Sequence, residues 1–311
     1  MLRFYKTNAK TKDLEKIDHP ETDCWMDLVA PTESEIETVL NTTHIDEDLI
    51  RKMLDDDEIP RIETSENATM TVIDVPIADE DGEYITNPVG IIVTDNNFLI
   101  TISPSSATVF NIFRDNKMRD FRTAKKTRFL IQVLNIAAAE YLKVLDEVYR
   151  EIETKEEVLK KSTRNEDLID LLATEKTLVY FMSSLKENAL VLERLGKGIV
   201  LPLYEGDIDL LEDAEIENRQ AIDMAGIYRE ILSSITDTYA TIVSNNLNNV
   251  MKFLAGMTIV VSVPTIISSF FGMNVTFGVI ASNPFSALAL LVLSILASVT
   301  IAIILKKKGL L

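Results

Sequence analysis

The chain lacks the residues from which most active sites and structural metal sites are built. Its one cysteine, Cys24, excludes an internal disulfide framework. Its two histidines, His19 and His44, are too few for a zinc site and sit in no Cys/His cluster, so each reads as a surface or loop residue. Glycine is scarce, at 10 of 311 residues, which leaves little room for glycine-rich phosphate cradles. No segment carries the pattern of a nucleophile and its base, and the reading is that this is not an enzyme. Met1–Lys12 is strand-like and then charged, with no apolar core of a secretory signal, so none is expected.

The most informative absence is one of charge. No Asp or Glu occurs after Lys252, and the only bases beyond it are Lys306, Lys307 and Lys308. Residues 1–252 therefore hold all 49 acids against 28 of the 31 bases, a net charge of −21. Such an excess argues against nucleic acid, which requires a basic face. It suits a domain that gathers cations near a mouth, although an acidic surface also serves solubility alone.

The uncharged region contains two long apolar stretches. Phe253–Phe271 at ~1.5 Å per residue gives about 28 Å of helix, close to the hydrocarbon thickness of a bilayer. Phe285–Leu305 gives roughly 31 Å. A two-span hairpin in a lipid bilayer follows. Lys252 precedes the first span and Lys306–Lys308 follow the second, while the turn between is uncharged. The positive-inside rule then places both termini in the cytoplasm of a cell-membrane protein, with the turn outside.

The first span is apolar on most faces only. With Thr258 at zero and 100° per residue, Ser262 falls at about 40°, Thr265 at about −20° and Ser269 at about 20°. Leu254 at about −40° and Met251 at about 20° extend the stripe backwards, and Asn248 lies at about 80°. Pro264, near −120°, is off it. Hydroxyls at membrane depth need a partner helix or water. On its own the stripe fits helix–helix packing or the wall of a pore.

Gly272-Met273-Asn274 ends this span. Gly-Met-Asn at the outer end of the first of two C-terminal spans, with Asn248, Lys252 and Phe271 around it and a lysine-terminated second span after it, resembles the CorA family of magnesium channels. The resemblance covers most of the chain and is most specific over 228–274. It implies a funnel-shaped homopentamer that takes up hydrated Mg2+ passively. Gly272, Met273 and Asn274 would be the selectivity filter. Asn248, Met251, Leu254, Thr258, Ser262, Thr265 and Ser269 would line the pore, with an apolar constriction at Leu254 and Met251. A ring of neutral Asn274 amides suits an ion that dehydrates reluctantly, since it can hold the water shell without trapping the ion. Regulatory Mg2+ would bind between subunits at Asp213, with Asp79 as its nearest positional partner. The turn 275–284 carries none of the acids found in many members, which leaves Co2+, Ni2+ or Zn2+ open as cargo. Two other readings stand beside this one: a proton-coupled Zn2+ carrier on the same scaffold, and a non-transporting membrane anchor for an acidic binding domain.

Before the spans, residues 1–120 read as an α/β domain. Strands are expected at Leu2–Lys6, Cys24–Leu28, Thr69–Val75, Val89–Thr94 and Phe98–Ile102, the last two joined by the hairpin signal Asp95-Asn96-Asn97. A helix capped by Thr32 or Ser34 runs to about Leu40, and Ile45–Leu54 is a second. The acid run Asp55–Glu58 reads as a solvated loop. Residues 121–202 read as two antiparallel helical arms, broken near 164–167 and stopped near Gly196 and Gly198. Residues 203–252 form a stalk helix, starting near Asp209 and continuing into the span 253–274. The outer loop 275–284, the second span 285–305 and the basic tail 306–311 complete the organisation.

Overall fold

The computed structural model describes residues 1–79, 82–105, 107–161, 165–273 and 285–310. The chain divides into two units, Met1–Ser234 and Ile235–Leu311. The first begins with strands β1 (Leu2–Thr7), β2 (Leu14–Ile17) and β3 (Trp25–Val29), then helices α1 (Glu33–Thr43) and α2 (Glu47–Lys52). Strands β4 (Arg61–Thr64), β5 (Ala68–Ala78), β6 (Tyr84–Thr94) and β7 (Leu99–Ser103) follow, and then the short helix α3 (Asn111–Arg114). The remaining elements are α4 (Lys126–Lys161), α5 (Asn165–Gly196), α6 (Glu205–Phe271) and α7 (Ser286–Lys307). Residues of α6 up to Ser234 belong to the first unit and the rest to the second.

The seven strands form one sheet in the order β2-β1-β3-β7-β6-β5-β4. All neighbours are antiparallel except β3 and β7, which run parallel with Trp25 opposite Leu99. Period-two alternation splits the apolar side chains into two cores. Trp25, Ile73, Val75, Ile91 and Leu99 join Phe110, Phe129, Val133 and Leu192 on the face covered by α4 and α5. Met26, Met70, Val72, Ile92 and Ile100 join Ile36, Val39, Leu49 and Ile50 on the face covered by α1 and α2. A Cβ on Gly90 would stand 2.0 Å from the buried Met53 Sδ, so β6 is bare where the end of α2 closes over it.

Six aromatic rings, Tyr5, Trp25, Phe110, Phe113, Phe121 and Phe129, anchor the first core. Trp25 has Phe121 and Phe129 at centroid distances of 6.0 and 5.6 Å, and Phe113 lies 4.8 Å from Phe129. The Trp25 indole donates to Thr101 Oγ1 at 2.8 Å, and Thr101 donates to Asp27 Oδ1 at 3.0 Å. Asp27 also accepts two Arg114 hydrogen bonds, at 2.8 and 2.9 Å. A charge pair this deep is tolerable because every carboxylate oxygen is met.

The expected strands are present, and two more flank them. The edge strands β2 and β4 read Leu-Glu-Lys-Ile and Arg-Ile-Glu-Thr, polar and short as edges tend to be. The β6–β7 hairpin turns at Asp95-Asn96-Asn97 with Asn97 at φ 73. Thr32 is the N-cap of α1, where Glu35 accepts its amide at 2.9 Å, and His44 is a left-handed C-cap at φ 55. The second arm starts at Asn165, earlier than the expected break at 164–167 allows; Arg164 lies outside the described residues. Likewise α6 starts at Glu205 rather than near Asp209, because Asp207 supports the turn: its amide donates to Tyr204 O at 2.8 Å and its side chain accepts from Tyr204 N at 3.4 Å.

Within the first unit the α5–α6 packing is apolar with one polar lock. Ala214 and Ala221 are buried, and Asn218 Nδ2 donates to Leu185 O at 2.9 Å. Tyr228 stacks on Tyr149 of α4 at 4.8 Å.

Candidate functional site

The second unit holds two helical stretches long and apolar enough to cross a membrane, one within Glu205–Phe271 and one at Ala287–Lys307. In the first, the helix continues through Pro264. A proline there has no amide to give Val260 O four residues back.

Leu254, Thr258, Ser262 and Thr265 share one open, shallow face of the helix with Met257, Val261 and Ile266. The hydroxyls on this face are spent inwards. Thr258 Oγ1 donates to Leu254 O at 2.8 Å, Ser262 Oγ to Thr258 O at 2.7 Å and Thr265 Oγ1 to Val261 O at 3.1 Å. Back-bonding of this kind satisfies the hydroxyl proton within the helix. What each oxygen presents outwards is its lone pairs, an acceptor surface suited to water or to a hydrated cation. Asn248, Met251 and Ser269 are exposed on the same helix, Met251 at 60%.

Gly272 follows the last helical residue. Its amide donates to Ser268 O at 2.9 Å, and a Cβ on it would lie 3.1 Å from that same carbonyl. A side chain would press on the final helical turn, which is the physical case for glycine here. Met273 is 53% exposed. Asn274 and the loop 275–284 lie outside the described residues.

The sensor candidates belong to the first unit. Asp213 is exposed on α6, and Glu217 follows one turn later. Burial pushes the Glu217 carboxyl pKa up, and the Asp213 charge pushes it further. Glu217 Oε2 is buried with no hydrogen-bond partner among the described residues. Asp79 sits in the β5–β6 turn, where its Oδ1 accepts the Glu83 amide at 2.8 Å. Among the described residues, no three metal-ligating side chains cluster within the single chain. From sequence Asp213, Glu217 and Asp223 read as ordinary exposed helix charge; Glu217 is instead half-buried, because packing around α6 and not the local sequence sets its environment.

A large acidic α/β unit ahead of two apolar helices, the first with a hydroxyl-bearing face, is the build of a membrane protein that handles cations. The family model described as "CorA-like Mg2+ transporter protein" matches residues 21–307, and the chain belongs to that family. It is 28% identical over 269 residues to the cobalt/magnesium transport protein CorA of Methanocaldococcus jannaschii, covering 84% of this chain and 82% of that one. The corresponding protein of Thermotoga maritima is 23% identical over 219 residues, 69% of this chain and 62% of that one. The complete structure of the CorA magnesium transporter from Methanocaldococcus jannaschii aligns with a TM-score of 0.88 at 24% identity, over 100% of this chain and 99% of that one. The fold is therefore that of full-length CorA: an α/β N-terminal domain, a long helix and a C-terminal apolar helix.

Proposed function

We propose that the chain is one subunit of a homopentameric cell-membrane channel for passive uptake of hydrated Mg2+, with Co2+ or Ni2+ as further cargo. The observation that carries this reading is the shallow polar face of α6. Four stripe residues share it, and its hydroxyls donate to their own helix, which leaves their oxygens as acceptors. One such face encloses nothing, so the reading requires copies arranged in a ring. Asn274 then supplies neutral amide oxygens at the outer mouth, behind which Thr258, Ser262, Thr265 and Ser269 keep the passage wet. Leu254 and Met251 narrow it, and an apolar constriction can stop ions by dewetting. Inside-negative potential supplies about 2.3 kcal/mol per elementary charge per 100 mV, so no ATP chemistry is needed.

Regulation follows from Asp213, with Glu217 beside it and Asp79 of a neighbouring subunit as its partner. Opposed carboxylates repel until a divalent ion neutralises them, so intracellular Mg2+ would hold subunits together and its loss would loosen them. Charge reversal by Asp213→Lys should weaken protection by Mg2+ against limited proteolysis; unchanged protection removes Asp213 from the sensor.

The deciding experiment is flux into proteoliposomes carrying Mg2+, Co2+ and Zn2+ in parallel, under an imposed potential and under an imposed pH gradient. Potential-driven Mg2+ flux supports the channel. Zn2+ uptake that follows the pH gradient would replace it with the proton-coupled carrier. No flux of any ion would leave a membrane-anchored binding domain.

A further inference from the structure

We propose that a second site, far from the transport face in sequence, binds a phosphate-bearing small molecule of the nucleotide class. It is a cavity of about 640 Å³ in the first unit, walled by the β6–β7 turn, the start of α4 and the start of α6. That volume falls within the range of small-molecule sites.

The cavity lining carries three cations against two carboxylates, Asp95 and Asp207, a basic excess in a strongly acidic part of the chain. Lys125, Lys126 and Arg128 line it within four residues. Their existing partners hold them loosely. Lys126 Nζ donates to Asn97 Oδ1 at 2.9 Å but stands 3.3 Å from Asp23 Oδ1, and Arg128 Nη1 stands 3.4 Å from Asp207 Oδ1. Charge-assisted pairs close to about 2.7–2.9 Å when nothing competes. Arg128 Nε is buried and has no acceptor among the described residues. The Arg128 side chain is about one-fifth exposed, and its terminal nitrogens, held by Asp207 only at 3.4 Å, are the donors a phosphoryl oxygen could take. Lys125 is exposed at the mouth.

The backbone adds to this charge chiefly at α4. Both α4 and α6 begin at the cavity; the α4 start carries no acid in its first turn, whereas in α6 the Asp207 amide is already bonded to Tyr204 O and Glu205 and Asp207 offset the positive helix end. Gly206 forms part of the wall, beside Arg128 Nη1.

The rest of the lining points beyond inorganic phosphate. Val93, Leu201 and Pro202 give an apolar side, and the Tyr204 ring, 64% exposed, stands beside them. An aromatic face next to cations is a platform on which a nucleobase can stack. Asp95 on the same wall is an exposed acceptor for a ribose hydroxyl.

The test is calorimetric titration of the full-length protein in detergent, without divalent ions, with ATP, AMP and inorganic phosphate. The nucleotides should bind saturably and phosphate more weakly. Lys125→Glu, at an exposed position, should weaken ATP by about tenfold or more without moving the thermal midpoint. Tyr204→Ala should weaken AMP and ATP but leave phosphate unchanged. Arg128→Gln is informative only where its thermal midpoint matches the parent, and Lys125→Glu carries the test otherwise. Three results would overturn the proposal: no saturable binding of any probe at millimolar concentration, nucleotide binding indifferent to Lys125→Glu, or phosphate binding as tightly as AMP.

Discussion

The two units of this chain solve opposite problems with their polar groups. In Met1–Ser234 most apolar side chains are covered and most buried polar groups are hydrogen-bonded, as in the Trp25–Thr101–Asp27–Arg114 chain, with Arg128 Nε and Glu217 Oε2 among the exceptions. In Ile235–Leu311 the apolar side chains are outside, with Leu254, Ile266, Leu288 and Leu296 each more than half exposed, and the hydroxyls bond their own helix. The difference is one of solvent. In water, folding is driven by removing hydrocarbon from the surface. In lipid there is no such drive, and the requirement is that no polar group be left unmet. Mutations should therefore register as stability in the first unit and as transport in the second.

The largest break in that contrast should come from Phe129→Ala. It removes the ring shared by Trp25, Phe113 and Phe121, and the expected cost is about 3–5 kcal/mol of stability in the first unit, read as a lower thermal midpoint. A midpoint within a degree of the parent would mean that the aromatic core is not the first unit's main support.

Asp74 tests the same unit through pH. It lies on β5 at 8% exposure, with Ser184 Oγ donating to it at 2.5 Å and the Asn188 side chain bonding its backbone on both sides, at 2.8 and 3.0 Å. Burial raises its pKa to about 6, a shift that the Ser184 hydrogen bond opposes and the Glu187 charge assists. The folded state thus holds the proton more tightly than the unfolded state. The stabilisation is full below the unfolded value of 3.8 and is lost as pH rises through about 6. Asp74→Asn removes the buried charge and keeps an acceptor for Ser184. It should gain up to about 3 kcal/mol at pH 7.5, with the advantage shrinking to nothing near pH 4. A gain that does not change with pH would assign the effect to packing instead.

In the second unit the expected readout changes from melting to flux. Asn274→Ala should lower selective Mg2+ flux by roughly a hundredfold or more, equivalent to about 2.7 kcal/mol on the barrier, while the oligomer still assembles. Normal flux and selectivity in that variant would take Asn274 out of the filter. The smallest effect should come from Ser262→Ala, which deletes one back-bonded hydroxyl. Its helix should change by less than about 0.5 kcal/mol and its flux by only a few-fold. A thermal loss as large as that of Phe129→Ala would mean that the stripe is a packing seam and not a wetted wall.

Legibility from sequence divides along the same line. The hydroxyl stripe was readable because a helix repeats every 3.6 residues and lipid tolerates few polar exceptions, so the positions converge on one face by arithmetic. The central strands were readable from their β-branched runs. β2 and β4 were not, since an edge strand needs neither hydrophobicity nor length. The parallel pairing of β3 with β7, across 69 residues of intervening chain, leaves no local mark. The orphaned oxygen of Glu217 and the loosely paired Arg128 were equally hidden, because each depends on neighbours distant in sequence.

Composition and periodicity alone settled that an acidic α/β region precedes two apolar helices, that one of these carries a single hydroxyl face, and that Gly-Met-Asn closes it. These are local properties, set by which residues follow one another. Tertiary structure decided which carboxylates are buried, which cations lack close partners, and where three separate segments leave a cavity. Such properties arise from long-range packing, where desolvation acts on whatever the fold brings together and not on what the chain places side by side.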